Sequence, residues 1–283
     1  MIKKKTTKDI HHTKKVSIGI VILTVFFVVA IIASKSSKHH EILSVINDDV
    51  SEECNVAQIN IRGVILPYLP PVEYDEDGNE IPMYDAVSSE NIIASLEKIK
   101  KDDTISAILL NIDSPGGVPV PAEEIDQAVQ HAGLPVVSLI RSVGTSAAYW
   151  AVSSSNHIIA SKNSDIGSIG VTSSYLENKH PDQKFIEISS GKYKDYGNPD
   201  KPLTDDEKNI ILRDVKIIHE NFMDAVSKNR NIARDIVMQF SDGTTVLGQK
   251  ALEIGLIDQI GGFYEAKDYL RELIDEDPVI CEY

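Results

Sequence analysis

Three short apolar runs constrain this chain most: Ile105-Ser-Ala-Ile-Leu-Leu-Asn-Ile112, Pro135-Val-Val-Ser-Leu-Ile140 and His157-Ile-Ile-Ala160, separated by stretches whose apolar residues recur at helical spacing. Runs of this length read as strands buried on both faces, and intervening helices connect parallel neighbours. The alternation places the chain in the α/β class, a mostly parallel sheet covered by helices. Val56 to Ile65 adds a first strand, and Ile92, Ile93, Leu96 and Ile99 mark a helix after Ser88. Further helices are expected over Ala122 to His131, opened by Pro121, and over Ala147 to Ser153. Lys184 to Ser189 reads as another strand. Thr204-Asp-Asp-Glu207 is a capping box opening a long amphipathic helix, with Ile210, Ile211, Val215, Ile218, Phe222 and Val226 on its core face.

The N-terminus has a different character. Val16 to Ala33 contains no charge, and as a helix it would span about 27 Å, close to the hydrocarbon thickness of a bilayer. The run is long for a signal peptide, and Ile31 breaks the small-x-small preference for a cut after Ala33. One transmembrane helix over 16–33 is therefore expected. Six lysines (Lys3, Lys4, Lys5, Lys8, Lys14 and Lys15) precede it, which keeps residues 1–15 in the cytoplasm and carries the rest across the membrane. Residues 34–54 read as a tether. Pro67 to Tyr84, rich in Pro, Asp and Glu, reads as an exposed excursion long enough to suspect a role.

Residues 1–40 hold eight Lys and one Asp, which leaves 20 basic and 42 acidic side chains, a net charge of −22, on the remainder of the 283-residue chain. That acidity argues against nucleic acid as a partner. The two cysteines, Cys54 and Cys281, lie far apart and outside any metal-ligand spacing. A disulfide scaffold or zinc site is not expected. The pair reads as two free thiols, a single bridge being the alternative.

Candidate chemistry gathers where strands end. Ser146 sits among small residues in Ser142-Val-Gly-Thr-Ser-Ala-Ala-Tyr-Trp150, where a strand gives way to a helix. A hydroxyl on such a turn is held rigidly yet open to substrate, with backbone N–H groups nearby. Asp113-Ser-Pro-Gly-Gly117 follows another strand, and its paired glycines would let the backbone approach a ligand. A serine nucleophile needs a base, either His or Lys. His131 and His219 fall in helices, His157 opens a strand and His180 lies in a charged loop; none has surroundings that mark a base. Lysine can serve when burial disfavours its ammonium form. Lys192 and Lys194, in Ser189-Ser-Gly-Lys-Tyr-Lys-Asp-Tyr-Gly-Asn-Pro199, are the candidates, and spacing alone does not choose between them.

Together these segments resemble the signal peptide peptidase A (SppA) family of serine proteases, built on the fold of the Clp protease proteolytic subunit and the crotonases. Ser114-Pro-Gly-Gly117 is similar to the family's glycine turn, Ser146-Ala-Ala-Tyr-Trp150 to its nucleophile segment, and Gly167-Ser-Ile-Gly-Val171 to the signature after the next strand. Gly191-Lys-Tyr-Lys194 is similar to the general-base loop, and Asp242-Gly with Gly255-Leu-Ile-Asp-Gln-Ile-Gly-Gly262 to the C-terminal signature. Ala147-Ala148, where many bacterial members carry two glycines, is closer to the capsid-maturation peptidases of tailed phages in the same superfamily.

The resemblance implies a Clp protease/crotonase-like fold of repeated β-β-α units over 55–275, with 276–283 as a C-terminal tail. It implies that Ser146 is the nucleophile, that Lys194 rather than Lys192 is the general base, and that Ser168 orients the lysine. Gly117 and the N–H of Ala147 would form the oxyanion hole, with Gly116 shaping the turn. No cofactor is implied. The expected activity is a membrane-anchored serine endopeptidase acting on peptides or unfolded proteins, such as signal-peptide remnants or misfolded envelope proteins. The chain is half the length of duplicated family members, so a homo-oligomeric ring of about eight is expected, with serine and lysine from neighbouring chains. The other readings are a catalytically silent anchored scaffold or protease regulator, and a phage-type capsid- or scaffold-processing peptidase. Acyl-CoA chemistry on the same fold is disfavoured by the Ser146/Lys194 pair.

Overall fold

The computed structural model describes residues 53–71, 75, 77, 85–178 and 186–283. The expected transmembrane helix, nearly all of the tether, most of the 67–84 excursion, His180 and the start of the 184–189 strand lie outside them. Among the described residues no helix is long and apolar enough to cross a membrane.

The described residues form one unit, Glu53–Tyr283, built on a nine-stranded sheet. In chain order the elements are β1 (Val56–Leu66), β2 (Ala86–Ser88), α1 (Ser89–Ile99), β3 (Ala107–Gly117), α2 (Pro119–Gln130), β4 (Val136–Thr145), α3 (Ala147–Val152), β5 (His157–Ala160) and β6 (Asp165–Gly167). There follow α4 (Asp205–Arg230), α5 (Arg234–Met238), β7 (Thr245–Leu247), α6 (Gly248–Glu253), β8 (Gln259–Ile260), α7 (Phe263–Ile274) and β9 (Ile280–Glu282). The main sheet runs β2-β1-β3-β4-β5-β8; β6 adds to β4, β9 to β1, and β7 pairs antiparallel with β6 while every other pairing is parallel. This is the α/β architecture expected from the alternation.

Both faces of the sheet are covered, which is why its strands are continuously apolar. On one face Ala57, Ile59, Ile61, Ile108, Leu110 and Ile112 pack in one cluster with Ile92 and Leu96 of α1, Ile125 of α2 and Phe222 of α4. On the other, Val56, Leu109, Val137, Leu139 and Ile159 meet Ala266 and Leu270 of α7.

Two strands run further than their composition suggests. β3 was expected to end at Ile112 and β4 at Ile140, yet each continues about five residues, to Gly117 and Thr145. Both extensions follow a register shift, after Arg62 in β1 and after Ile112 in β3, where the strands bend. Beyond the shift, Gly116 and Gly117 pair with Val64 and Ile65, and Gly144 pairs with Ser114. Parallel pairing here overrides the turn character of Ser-Pro-Gly-Gly.

Other differences concern the chain ends and α4. Cys54 and Cys281 form a disulfide with Cα atoms 5.9 Å apart, correcting the expectation of free thiols. The bridge follows from β9, which returns beside β1 and pairs Ala57 with Cys281. Residues 276–283 are thus part of the sheet and not a tail; Tyr283 ends the unit by donating its hydroxyl to Asp102 Oδ2 at 2.6 Å. The capping box is present: Thr204 Oγ1 accepts the Glu207 N–H, and Glu207 Oε2 accepts the Thr204 N–H at 2.9 Å. The apolar burial of α4 lies in its second half, through Phe222, Met223 and Val226, whereas Ile210, Ile211, Val215 and Ile218 are half-covered. Ile186–Ser189 forms no strand, and Ile186 and Ile188 are exposed.

Candidate active site

Ser146 is the hinge between β4 and α3. Thr145 pairs with Gly167 of β6, and the Ser146 N–H donates to Gly167 O at 2.7 Å, so the chain enters the turn on a fixed line. It leaves through Trp150, whose N–H donates to Ser146 O at 3.0 Å. Between these anchors Ser146 adopts φ 53°, ψ −129°, a conformation that costs an L-residue about 1–3 kcal/mol and persists only where its surroundings over-determine it. They do. All six residues of α3 are buried, the Tyr149 hydroxyl donates to Leu256 O at 2.8 Å, and the Trp150 ring stacks on Phe222 with centroids 4.9 Å apart. Ser146 occupies the N-cap position, yet its side chain makes no capping hydrogen bond. Its Oγ is left for the cleft.

The end of β3 lies against this turn. Gly116 has φ +106°, and a Cβ there would come within 2.8 Å of Ser146 Cβ and 2.9 Å of Ala147 N. At Gly117 a Cβ would meet Ile65 O at 2.1 Å. Neither position admits a side chain, so the strand end closes onto the serine as bare backbone. The N–H of Ala147 is at the first helical position, where no intrahelical acceptor exists.

Ser168 comes from the segment after β6. Its own φ is 51°; its N–H donates to Thr244 O at 3.1 Å and its Oγ to Gly243 O at 2.9 Å. Gly243 N–H in turn donates to Ile169 O at 3.1 Å. The Asp242-Gly243 turn is therefore a clamp on the Ser168 segment. Ser146, Ser168, Gly117 and Ala147 line one cleft of about 550 Å³, closed by Trp150 and Phe222. Four of the six residues singled out from sequence thus share a wall, and Gly116 lies directly behind it. Among the described residues no three His, Cys, Asp or Glu side chains gather where a metal ion would sit.

Lys194 does not line this cleft within the single chain. It is exposed on a turn, its N–H donating to Gly191 O at 3.0 Å, and no carboxylate among the described residues pairs with it. Lys192 is engaged: its Nζ lies 2.8 Å from Asp206 Oδ2. That carboxylate, with the Tyr193 hydroxyl, holds the Lys192 ammonium above the usual lysine range. An amine kept protonated is a poor general base. The whole loop is tied down by Lys201, whose Nζ reaches Glu187 at 3.0 Å, Glu207 at 3.3 Å and Asp195 at 3.5 Å. The Tyr175 hydroxyl adds bonds to Asn198 O and Lys201 O.

His219, unmarked by its sequence neighbours, lines the same cleft from α4. A signal was there. His219 stands four residues after Val215 and three before Phe222, so helical spacing sets it on the apolar stripe and not on the solvated face.

The sequence profile of peptidase family S49 matches residues 128–276, a span that includes Ser146, Ser168 and Lys194. The chain is 30% identical over 195 residues to "Putative protease MJ0651" of Methanocaldococcus jannaschii, covering 66% of this chain and 63% of that protein. It is 27% identical over 236 residues to "Putative signal peptide peptidase SppA" of Enterococcus faecium, covering 81% and 66%. The chain thus spans just under two thirds of each of these relatives. Among solved structures, a ClpP1 variant from Listeria monocytogenes superposes with a TM-score of 0.48 at 11% identity, covering 74% of this chain and 92% of that one.

Proposed function

The chain belongs to peptidase family S49, and on that premise we propose that it is a membrane-anchored serine endopeptidase with a Ser146/Lys194 dyad, cutting signal-peptide remnants or misfolded envelope proteins. The observation that carries this reading is Ser146 itself, a strained serine whose hydroxyl is released from capping and faces a cleft shared with Ser168. Strain of this kind is a mark of functional sites.

The chemistry follows from the groups present. Ser146 Oγ attacks the peptide carbonyl as its proton passes to the Lys194 amine. The oxyanion is met by the N–H groups of Gly117 and Ala147, fixed before the charge develops. Lys194 then returns the proton to the leaving amine, and water releases the acyl group by the same steps in reverse order. Because the Ser168 hydroxyl proton is committed to Gly243 O, its lone pairs are free to accept an N–H of the lysine amine, which turns the amine's own lone pair toward Ser146.

Since Lys194 lies away from the cleft of its own chain, the base is supplied by a neighbouring subunit in a closed ring of about eight. The exposed apolar side chains Ile186, Ile188, Tyr193 and Tyr196 that flank it support such docking. An extracytoplasmic domain behind the 16–33 helix is supported by the Cys54–Cys281 bridge, since disulfides persist in oxidising compartments.

The test uses the full chain in detergent micelles with unfolded protein substrates. Ser146→Ala and Lys194→Ala each abolish cleavage in folded protein, whereas Lys192→Ala retains it. Cleavage by the Ser146 variant at the wild-type rate would overturn the reading.

A further inference from the structure

The hydrolytic scheme leaves one polar group of the cleft without a task. His219 lines the space beside Ser146, yet its Nε2 is sealed from solvent and has no hydrogen-bond partner. Among the described residues one other buried side-chain atom shares that state, Asn111 Oδ1 in β3. Buried polar atoms in folded proteins are nearly all paired, because an unpaired one forfeits its hydration for nothing in return. An unpaired one inside a cleft therefore points to a partner that arrives with the occupant.

The surroundings say what kind of occupant. Beside His219 the cleft is walled by Trp150, Phe222, Ile218 and Val171, and the Trp150 and Phe222 rings stack with centroids 4.9 Å apart. Of its helical neighbours, Val215, Phe222 and Met223 are apolar and Lys216 is charged. No carboxylate hydrogen-bonds the ring among the described residues, so the imidazole is not oriented as the middle member of a catalytic triad. Of the polar side chains that line the cleft, Ser146, Ser168, Thr172, Ser241, Asp242 and His219, the His219 ring is the one with a buried, unpaired atom. A neutral imidazole nitrogen donates or accepts according to tautomer, so it pairs equally with a hydroxyl or an amide. To meet an occupant the sealed nitrogen needs a turn of the ring about its Cβ–Cγ bond, a fast side-chain motion.

We propose that His219 determines specificity: its ring nitrogen bonds the polar end of the substrate side chain seated on Trp150 and Phe222. The enzyme then selects residues with an apolar body and a polar tip, such as Tyr or Thr, over Phe or Val of the same shape. The reason is the asymmetry of hydrogen bonding in dry sites. A substrate that lacks the matching group leaves His219 unpaired, and such sites discriminate far better than purely apolar pockets do. This inference rests on the peptidase reading above.

The experiment measures kcat/KM of the full chain for peptide pairs differing only in Tyr against Phe, or Thr against Val, at the residue preceding the cut. The wild type is expected to favour the hydroxyl-bearing member by about tenfold or more. In His219→Leu the ratio falls to one or below, while Phe and Val peptides are still cut and a serine-reactive probe still labels Ser146. His219→Gln, which keeps a hydrogen-bonding end, restores a preference. A merely structural role would lower both members of each pair together and leave the ratio unchanged. An unchanged ratio in His219→Leu, or a ratio of one in the wild type, overturns the inference alone. Failure of the wild type to cut any peptide overturns the peptidase reading and the inference with it.

Discussion

Replacing Gly116 by alanine tests whether the end of β3 holds the Ser146 turn in place. Two costs add. At φ +106° an alanine sits in a region unfavourable to L-residues by about 1–2 kcal/mol. Its Cβ also arrives 2.8 Å from Ser146 Cβ and 2.9 Å from both Ala147 N and Thr145 O. These are backbone or near-backbone atoms that cannot swing aside, and overpacking of this kind costs about 1–3 kcal/mol. The sum, centred at about 3.5 kcal/mol, lowers Tm by about 7–14 °C for a folded unit of this size. What relief occurs comes from displacing Ser146, and misplacement of a reacting group by about 1 Å can cost on the order of a hundredfold in rate. The assay pairs thermal unfolding with the rate at which a serine-reactive probe labels Ser146. Gly191→Ala is the control, since a Cβ there meets nothing within 4 Å at an ordinary φ, and it should leave Tm unmoved or slightly raised. If Gly116→Ala matched the wild type in both Tm and labelling rate, the argument that β3 buttresses the nucleophile would be wrong.

Other parts of the structure make further commitments. Cys54 and Cys281 are 227 residues apart, so loop-closure entropy gives their bridge about 5 kcal/mol as an upper figure, and about 2–5 kcal/mol is the usual loss on removal. Cys281→Ser, or reduction of the wild type, should lower Tm by about 5–15 °C; a Tm indifferent to reductant contradicts the pairing. The Lys201 cluster predicts an acid-sensitive loop. Hydrogen bonds from Ser189 and Lys201 hold the Glu187 carboxyl below its usual range, and the backbone and side chain of Thr204 do the same for Glu207. Carboxyls depressed by folding contribute stability that is complete above their unfolded pKa of about 4.5 and is lost as pH falls through the folded value. Hydrogen exchange over residues 186–203 should therefore rise below about pH 4. Lys201→Met should show that faster exchange already at neutral pH. Equal exchange in variant and wild type would mean the cluster does not hold the loop.

Much of the sheet was legible because its strands announce themselves as apolar runs, and the helices between them carry clean spacing. The extensions of β3 and β4 were not. Asp113-Ser-Pro-Gly-Gly117 has turn composition, and only its parallel partner in β1, fifty residues away in sequence, makes it a strand. The disulfide was hidden for a similar reason, since β9 meets β1 across nearly the whole chain. Ile186 and Ile188 alternate as in a strand, but no described strand lies beside them and both stay exposed. Ser146, singled out in the sequence, and Ser168, Gly117 and Ala147, singled out through its resemblance, line one cleft. His219 was missed because a histidine judged by its immediate neighbours shows nothing, whereas its place on the apolar stripe of α4 needed the opposite wall of the cleft to gain meaning.

The central claim is that one chain's Ser146 works with the Lys194 of its neighbour. Complementation tests it most directly: Ser146→Ala and Lys194→Ala chains, each inactive alone, are co-expressed with different tags, and mixed assemblies are purified through both. In a ring with one dyad per interface, random mixing pairs an intact serine with an intact lysine at about one site in four. The expected recovery at that ratio is about a quarter of wild-type cleavage. Mixed assemblies as inactive as either parent would place both residues in one chain and contradict it.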